Sequence, residues 1–181
     1  MKFVKDAMQP NNWYINPYKY CEKFEKEFAE YHGRKFALMT PNCTLAIHLF
    51  LLSMNLKKDD EVIVSESTWI ATASPVLQTK AKLVLCDVDE STWCISLNQL
   101  KKCVTKKTKV IIPVSLFGAP LDYDRLNQIK IKHKLFIVED AACSIGAVYQ
   151  GIKVGNQADI TVFSLHPRKF ITTGEGGIIT T

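Results

Sequence analysis

The sequence predicts an α/β protein, a mostly parallel sheet covered by helices on both faces in a three-layer α/β/α arrangement. Three observations carry this. Short runs rich in Val, Ile and Leu recur along the 181 residues, over 61–64, 83–88, 110–114, 135–140 and 160–164. These runs are continuously apolar rather than alternating, which marks strands buried on both faces. Stretches of helical period or turn residues separate them, the pattern of strand–helix–strand units.

Taken in order, residues 18–31 place Tyr20, Phe24, Phe28 and Tyr31 at helical spacing with charges between them. That is an amphipathic helix, and its aromatics are read as core rather than as a ligand platform. Asn42-Cys43-Thr44 opens a second helix over 45–55, nearly all apolar and therefore expected to be largely buried. A strand follows over 61–64, then a loop and short helix over 67–77, a strand over 83–88 and a helix over 97–103. Strand 110–114, helix 122–133 and strands 135–140 and 160–164 complete the alternation. Residues 176–181 read as a turn and a strand with nothing after it, expected to leave a sheet edge or face uncovered. Residues 1–35 are assigned to an N-terminal helical segment. Residues 36–181 are expected to form one α/β domain, with a further C-terminal part lacking.

Composition narrows the class. Apolar residues make up 47% and charged residues 23% of the chain, a globular balance. The net charge of +5 is mild, and the densest basic stretch, Lys101 to Lys109, has no aromatic among its lysines. It reads as a solvated helix end, so no nucleic-acid partner is expected. The cysteines at 21, 43, 86, 94, 103 and 143 form no Cys-x-x-Cys pair and are not spaced with histidines as metal ligands, so no metal is expected. The N-terminus lacks the apolar stretch of a signal peptide, and the longest apolar run, 45–54, is too short to span a bilayer. No membrane partner follows, and a reducing, cytoplasmic location is expected.

In parallel sheets ligands bind beyond the carboxyl ends of the strands. Asp140, Ser164 and Ser115 all fall at such ends and are expected to converge on one site. Lys169 follows in the loop after Ser164. A lysine that can form a Schiff base and an aspartate that can pair with a pyridinium nitrogen are the minimal kit for holding pyridoxal phosphate (PLP). Each piece has a plainer reading. Lysines are mostly solvated, and Asp140 could cap the Ala141-Ala142 segment. The Asn42-Cys43-Thr44 turn is an anion site or simply a helix cap. Trp69 could stack on a planar ring or pack against its neighbours. His166 reads as a structural loop residue, and Gly174-Glu175-Gly176-Gly177 as a turn that positions the lysine loop. No Gly-x-Gly-x-x-Gly or Walker motif is present.

Together, several ordered motifs resemble the DegT/DnrJ/EryC1/StrS sugar aminotransferase family of PLP fold type I, from about Asn12 to Thr181. They are Asn42-Cys43-Thr44-Leu45-Ala46-Ile47-His48-Leu49, Asp60-Glu61-Val62-Ile63-Val64, Thr68-Trp69-Ile70-Ala71-Thr72-Ala73, Asp87-Val88-Asp89, Ile112-Pro113-Val114, Val138-Glu139-Asp140-Ala141-Ala142 and Ser164-Leu165-His166-Pro167-Arg168-Lys169 leading to Thr172-Thr173-Gly174-Glu175-Gly176-Gly177. Thr92-Trp93 and residues 171–177 look most like the perosamine synthases, which aminate nucleotide-linked 4-keto-6-deoxy sugars.

The resemblance implies PLP as cofactor and roles for particular residues. Lys169 would form the Schiff base and move the proton, and Asp140 would pair with the pyridine nitrogen. Trp69 would stack on the ring, while Thr44, the amide of Leu45 beside it and Ser164 would hold the phosphate. Position 143, usually Gln, Glu or His in the family, is Cys143 here, a weaker hydrogen-bond partner at the ring. Members that dehydrate sugars tend to carry histidine at the lysine position, so Lys169 favours amino transfer. The implied partners are a nucleotide sugar, glutamate or glutamine as amino donor, and a second copy in a homodimer, in surface-polysaccharide or amino-sugar synthesis. Competing readings are a truncated, inactive fragment that at most binds or dimerises, a PLP-dependent sugar dehydratase, and a flavodoxin-like binding module.

Overall fold

The computed structural model describes residues 2–12, 16 and 18–181; Trp13 lies outside the described residues. Helix α1 spans Lys2–Ala7 and α2 Lys19–His32; β1 (Ala37–Thr40) leads to α3 (Cys43–Ser53). Then β2 (Glu61–Ser65), α4 (Ile70–Leu77), β3 (Lys82–Cys86), α5 (Leu97–Cys103) and β4 (Thr108–Ile112) alternate. After α6 (Tyr123–His133) come β5 (Phe136–Asp140), a two-stranded hairpin of β6 (Val148–Tyr149) and β7 (Ile152–Lys153), β8 (Ile160–Ser164) and β9 (Gly177–Thr180).

The main sheet has seven strands in the order β1-β9-β8-β5-β4-β2-β3. From β3 to β8 neighbours run parallel, while β9 is antiparallel to both β8 and β1. The last strand is therefore not an edge, as the sequence suggested. It is inserted between β1 and β8, paired on both sides, with Gly177 through Thr180 all buried.

Side-chain alternation divides the core. Ile63, Ile111 and Ile137 point to one face, where Leu97, Leu100, Leu126 and Ile129 of α5 and α6 cover them. Val62, Val64, Val110, Ile112, Val138 and Val162 point to the other, beneath Ala46, Ile47 and Leu51 of α3 and Ala73 and Val76 of α4. Phe28 of α2 packs edge-on against Phe163, and His32 stacks on the same ring. This contact is possible because Gly155 has no side chain: a Cβ there would lie 2.7 Å from His32 Nδ1 and 2.9 Å from Phe163. The aromatic spacing of α2 was thus partly core as read. Phe28 is buried and Phe24 partly so, but Tyr31 is exposed.

Helix α3 departs from expectation. Only Ala46, Ile47 and Leu51 are buried, while Leu45, Leu49 and Leu52 form an exposed stripe at i, i+4 and i+7. A helix lying on a sheet buries one side, and a nearly all-apolar sequence leaves the other side apolar in solvent. Among the described residues, no helix is long and apolar enough to cross a membrane.

Candidate functional site

A cavity of about 450 Å³ opens at the carboxyl ends of β5 and β8, and Thr44, Trp69, Asp140, Ser164 and Lys169 all line it. The fold assembles it from separate pieces. Asp140 shares the parity of Val138 on β5, so its carboxylate emerges on the α3 and α4 face. Ser164 shares the parity of Val162 on β8 and emerges on the same face.

Asp140 is almost fully buried and well held. Its Oδ2 accepts from Thr72 Oγ1 at 2.7 Å, and its Oδ1 from the Ala142 amide at 3.0 Å and, more weakly, Cys43 Sγ at 3.8 Å. Thr72 Oγ1 lies 2.8 Å from Thr68 Oγ1, extending the chain of hydroxyls. Burial pushes the Asp140 carboxyl above its ordinary range, against the pull of Thr72, the Ala142 amide and the Lys169 charge. The same burial, with Asp140 beside it, raises the Cys43 thiol well above its ordinary value.

The second piece is the start of α3. Asn42 caps it: its side chain accepts from the Leu45 amide at 2.8 Å, and its carbonyl from the Ala46 amide at 3.1 Å. The first-turn amides of Cys43 and Thr44 are left without an acceptor among the described residues. The helix start can approach β9 this closely only because residue 177 is glycine. A Cβ on Gly177 would sit 2.5 Å from the Asn42 carbonyl carbon and 2.6 Å from the Cys43 nitrogen.

The third piece is the loop joining β8 to β9. The Leu165 carbonyl accepts from Thr172 Oγ1 at 2.8 Å and the Thr173 amide at 3.2 Å; the Leu165 amide reaches the Gly176 carbonyl at 2.9 Å. These bonds fold the loop back and present His166, Arg168 and Lys169 to the cavity. His166 Nδ1 accepts from the Arg168 amide at 3.1 Å, and its Nε2 lies 3.8 Å from Glu175 Oε1. His166 and Glu175, read from sequence as structural, are also cavity-lining. Trp69 precedes α4 in extended conformation and leaves 72% of its surface exposed at the rim.

Three expectations change. Ser115 does not converge on the site. Its hydroxyl and Tyr123 OH donate to Glu139 on the opposite face of the sheet, where Thr161 adds a third donor at 3.3 Å. Leu45 does not line the cavity: its amide is taken by the Asn42 cap and its side chain faces solvent. Cys143 is exposed and stands at the margin of the site rather than in its lining, with its Sγ 3.2 Å from Lys169 Nζ. Thr72, which holds Asp140, is a further residue that the sequence reading did not assign to the site. It follows Trp69 by three positions, one helical turn, and that spacing is the signal that could have found it.

Residues 2–181 match the DegT/DnrJ/EryC1/StrS aminotransferase family. The chain belongs to this family. It is 41% identical to the GDP-perosamine synthase of Caulobacter vibrioides over 179 residues, which is 99% of this chain and 48% of that protein. Among solved structures, the aminotransferase from Psychrobacter cryohalolentis superposes with a TM-score of 0.91 at 37% identity, covering 100% of this chain and 47% of that one. A GDP-4-keto-6-deoxymannose-3-dehydratase variant with bound GDP-perosamine superposes at 0.86 with 32% identity, covering 90% of this chain and 44% of its own. The chain spans about half the length of the curated relatives it matches, or less. The three-layer fold expected from the sequence is the one these structures share.

Proposed function

We propose that the protein is a PLP-dependent aminotransferase that moves an amino group from glutamate or glutamine to a nucleotide-linked keto sugar. A 4-keto-6-deoxy sugar, in the cytoplasmic synthesis of a surface polysaccharide or amino sugar, is the substrate class the reading names. The observation that carries it is the meeting of Lys169 and Asp140 in one cavity with an aromatic rim and a helix N-terminus. The GDP-perosamine synthase relative supports the sugar class.

The residues fit the cofactor. Asp140 is a buried carboxylate whose burial disfavours its charge, so a cationic pyridinium partner would restore what desolvation removes. Thr72 and the Ala142 amide fix its two oxygens in place. The free amides of Cys43 and Thr44, the Thr44 and Ser164 hydroxyls and the positive end of α3 suit a phosphate. The Trp69 indole offers a flat face to the ring. When bound, PLP supplies an electron sink that stabilises the carbanion left when a proton leaves the donor's Cα. Lys169 Nζ would act as the base that takes that proton, for which it must be neutral, and in its protonated form would later return one to the amino-acceptor carbon.

The exposed Leu45, Leu49 and Leu52 stripe on α3, with Ile70 and Leu77 exposed on neighbouring α4, supports a homodimer that covers this face. A dehydratase reading rests on the likeness to the dehydratase structure, and Lys169 weighs against it.

Mass spectrometry after addition of PLP and borohydride tests the proposal. A pyridoxyl adduct on Lys169, absent in Lys169→Ala, is expected. Absence of any adduct would remove the PLP reading. Amination of a panel of nucleotide keto sugars, with products analysed for retained or lost oxygen, separates transfer from dehydration.

A further inference from the structure

Two cysteines stand at the site where the PLP reading needs none, and one of them touches the lysine. Lys169 Nζ and Cys143 Sγ are 3.2 Å apart, and Cys143 is exposed, so an oxidant can reach its sulfur. Reacting atoms held about 3–3.5 Å apart are already near an attack geometry. Cys43, the other thiol, is engaged with Asp140 and held in its protonated form by burial. The pair that is both accessible and in contact is therefore thiol and amine.

We propose that Cys143 and Lys169 form a redox-sensitive modification site, in which peroxide joins the thiol to the lysine amine and so blocks the lysine from the cofactor. The inference rests on the PLP reading for its consequence, but not for its chemistry. In the first step the thiol attacks the peroxide, the O–O bond breaks, and the sulfur becomes a sulfenic acid with release of water. Sulfenic acids condense with a neighbouring thiol or nitrogen. In the second step neutral Lys169 Nζ attacks the sulfur, an S–N bond forms, and the S–O bond breaks. The departing hydroxide leaves as water with a proton from the nitrogen. Sulfur has lost two electrons to peroxide, and thiol, amine and peroxide have become a sulfenamide and two waters. A thiol reductant reverses the link.

Only a lysine not already bonded to cofactor can react, so bound PLP protects the pair. Oxidation thus acts on the cofactor-free enzyme, or on whatever state of the cycle releases Lys169. Glu or Gln at position 143 would have no such chemistry, which gives the cysteine at this position a consequence of its own.

The test is peptide mapping and intact mass of the cofactor-free protein after brief exposure to hydrogen peroxide. The expected product is about 2 Da lighter, yields a peptide joining the segments around 143 and 169, resists trypsin after Lys169 and reverts with dithiothreitol. It forms in Cys43→Ser and is absent in Cys143→Ser and in Lys169→Arg. Preloading with PLP suppresses it. A mass loss that maps to Cys43–Cys143 or Cys86–Cys103 instead would overturn the proposal. So would oxygen added at Cys143 with Lys169 left free. Borohydride trapping of PLP on the reduced protein is scored separately. Its failure would remove the PLP reading while leaving the cross-link standing, and a missing cross-link with normal trapping would remove only this inference.

Discussion

Asp140 and Glu139 are adjacent in the chain, both acidic and both buried at the end of β5, yet their environments are opposite. Glu139 faces the α6 side, where the Ser115, Tyr123 and Thr161 hydroxyls donate to it and close it off. Asp140 faces the cavity, with Thr72, the Ala142 amide and the Cys43 thiol around it and Lys169 nearby. Burial raises the pKa of both. The difference is what burial is for. One carboxylate is satisfied by the fold and holds it together, and the other is positioned and left open to a partner the chain does not supply. Strand alternation alone assigns them to their sides.

The sharpest way to break this comparison is to neutralise each acid in turn. Asp140→Asn keeps the shape and can still accept from Thr72, so the melting temperature should hold. Turnover should fall about 100- to 1,000-fold, as when a preorganised charge is removed from an active site. Glu139→Ala should do the reverse. With three buried hydroxyls left without their acceptor, stability should drop by about 3 kcal/mol in a denaturant titration, while the folded fraction still traps PLP on Lys169.

Two pH effects of opposite sign sharpen it further. His32 is buried with Nδ1 bonded to the Val154 carbonyl at 2.7 Å and Nε2 unpartnered among the described residues. Burial pulls its pKa down from 6.5 to about 4. The unfolded chain therefore takes up a proton first, and stability present above pH 6.5 is lost as pH falls towards 4. The loss should be on the order of 2–3 kcal/mol by thermal or chemical unfolding, and His32→Phe should abolish it. Glu139, raised above 4.5, contributes stability that is full below 4.5 and lost as pH rises through its folded value. Glu139→Gln should flatten that limb. The smallest effect belongs to Thr72→Val, which removes one hydroxyl from Asp140. It should weaken PLP binding by about 3- to 10-fold, the worth of a single hydrogen bond, measured by absorbance titration.

Much of this was legible in the sequence, for a physical reason. Parallel strands buried on both faces announce themselves as continuous Val/Ile/Leu runs, and the acid, hydroxyl and lysine that follow them fall at strand ends. What was not legible depended on pairing and direction. Strands β1, β6 and β7 are too short to show a period. Nothing in 177–180 reveals that the strand threads between β1 and β8. Ser115 and Asp140 look equivalent as strand ends, and only side-chain parity separates them. The sequence position of Leu45, in the first turn of α3, suits an amide offered to a ligand, but the Asn42 side chain, three residues earlier, accepts that amide. The apolar sequence of α3 fixed its helix but not which side would face solvent.

The most direct test of the division between the two carboxylates is a half-reaction. The protein is loaded with PLP, mixed with glutamate and glutamine in turn, and the loss of visible absorbance is followed in wild type, Glu139→Gln and Asp140→Asn. Wild type and Glu139→Gln should bleach with the same donor at comparable rates, and Asp140→Asn should hold its colour. Bleaching in Asp140→Asn together with a stable colour in a folded Glu139→Gln would mean that the acids have been assigned to the wrong sides of the chemistry.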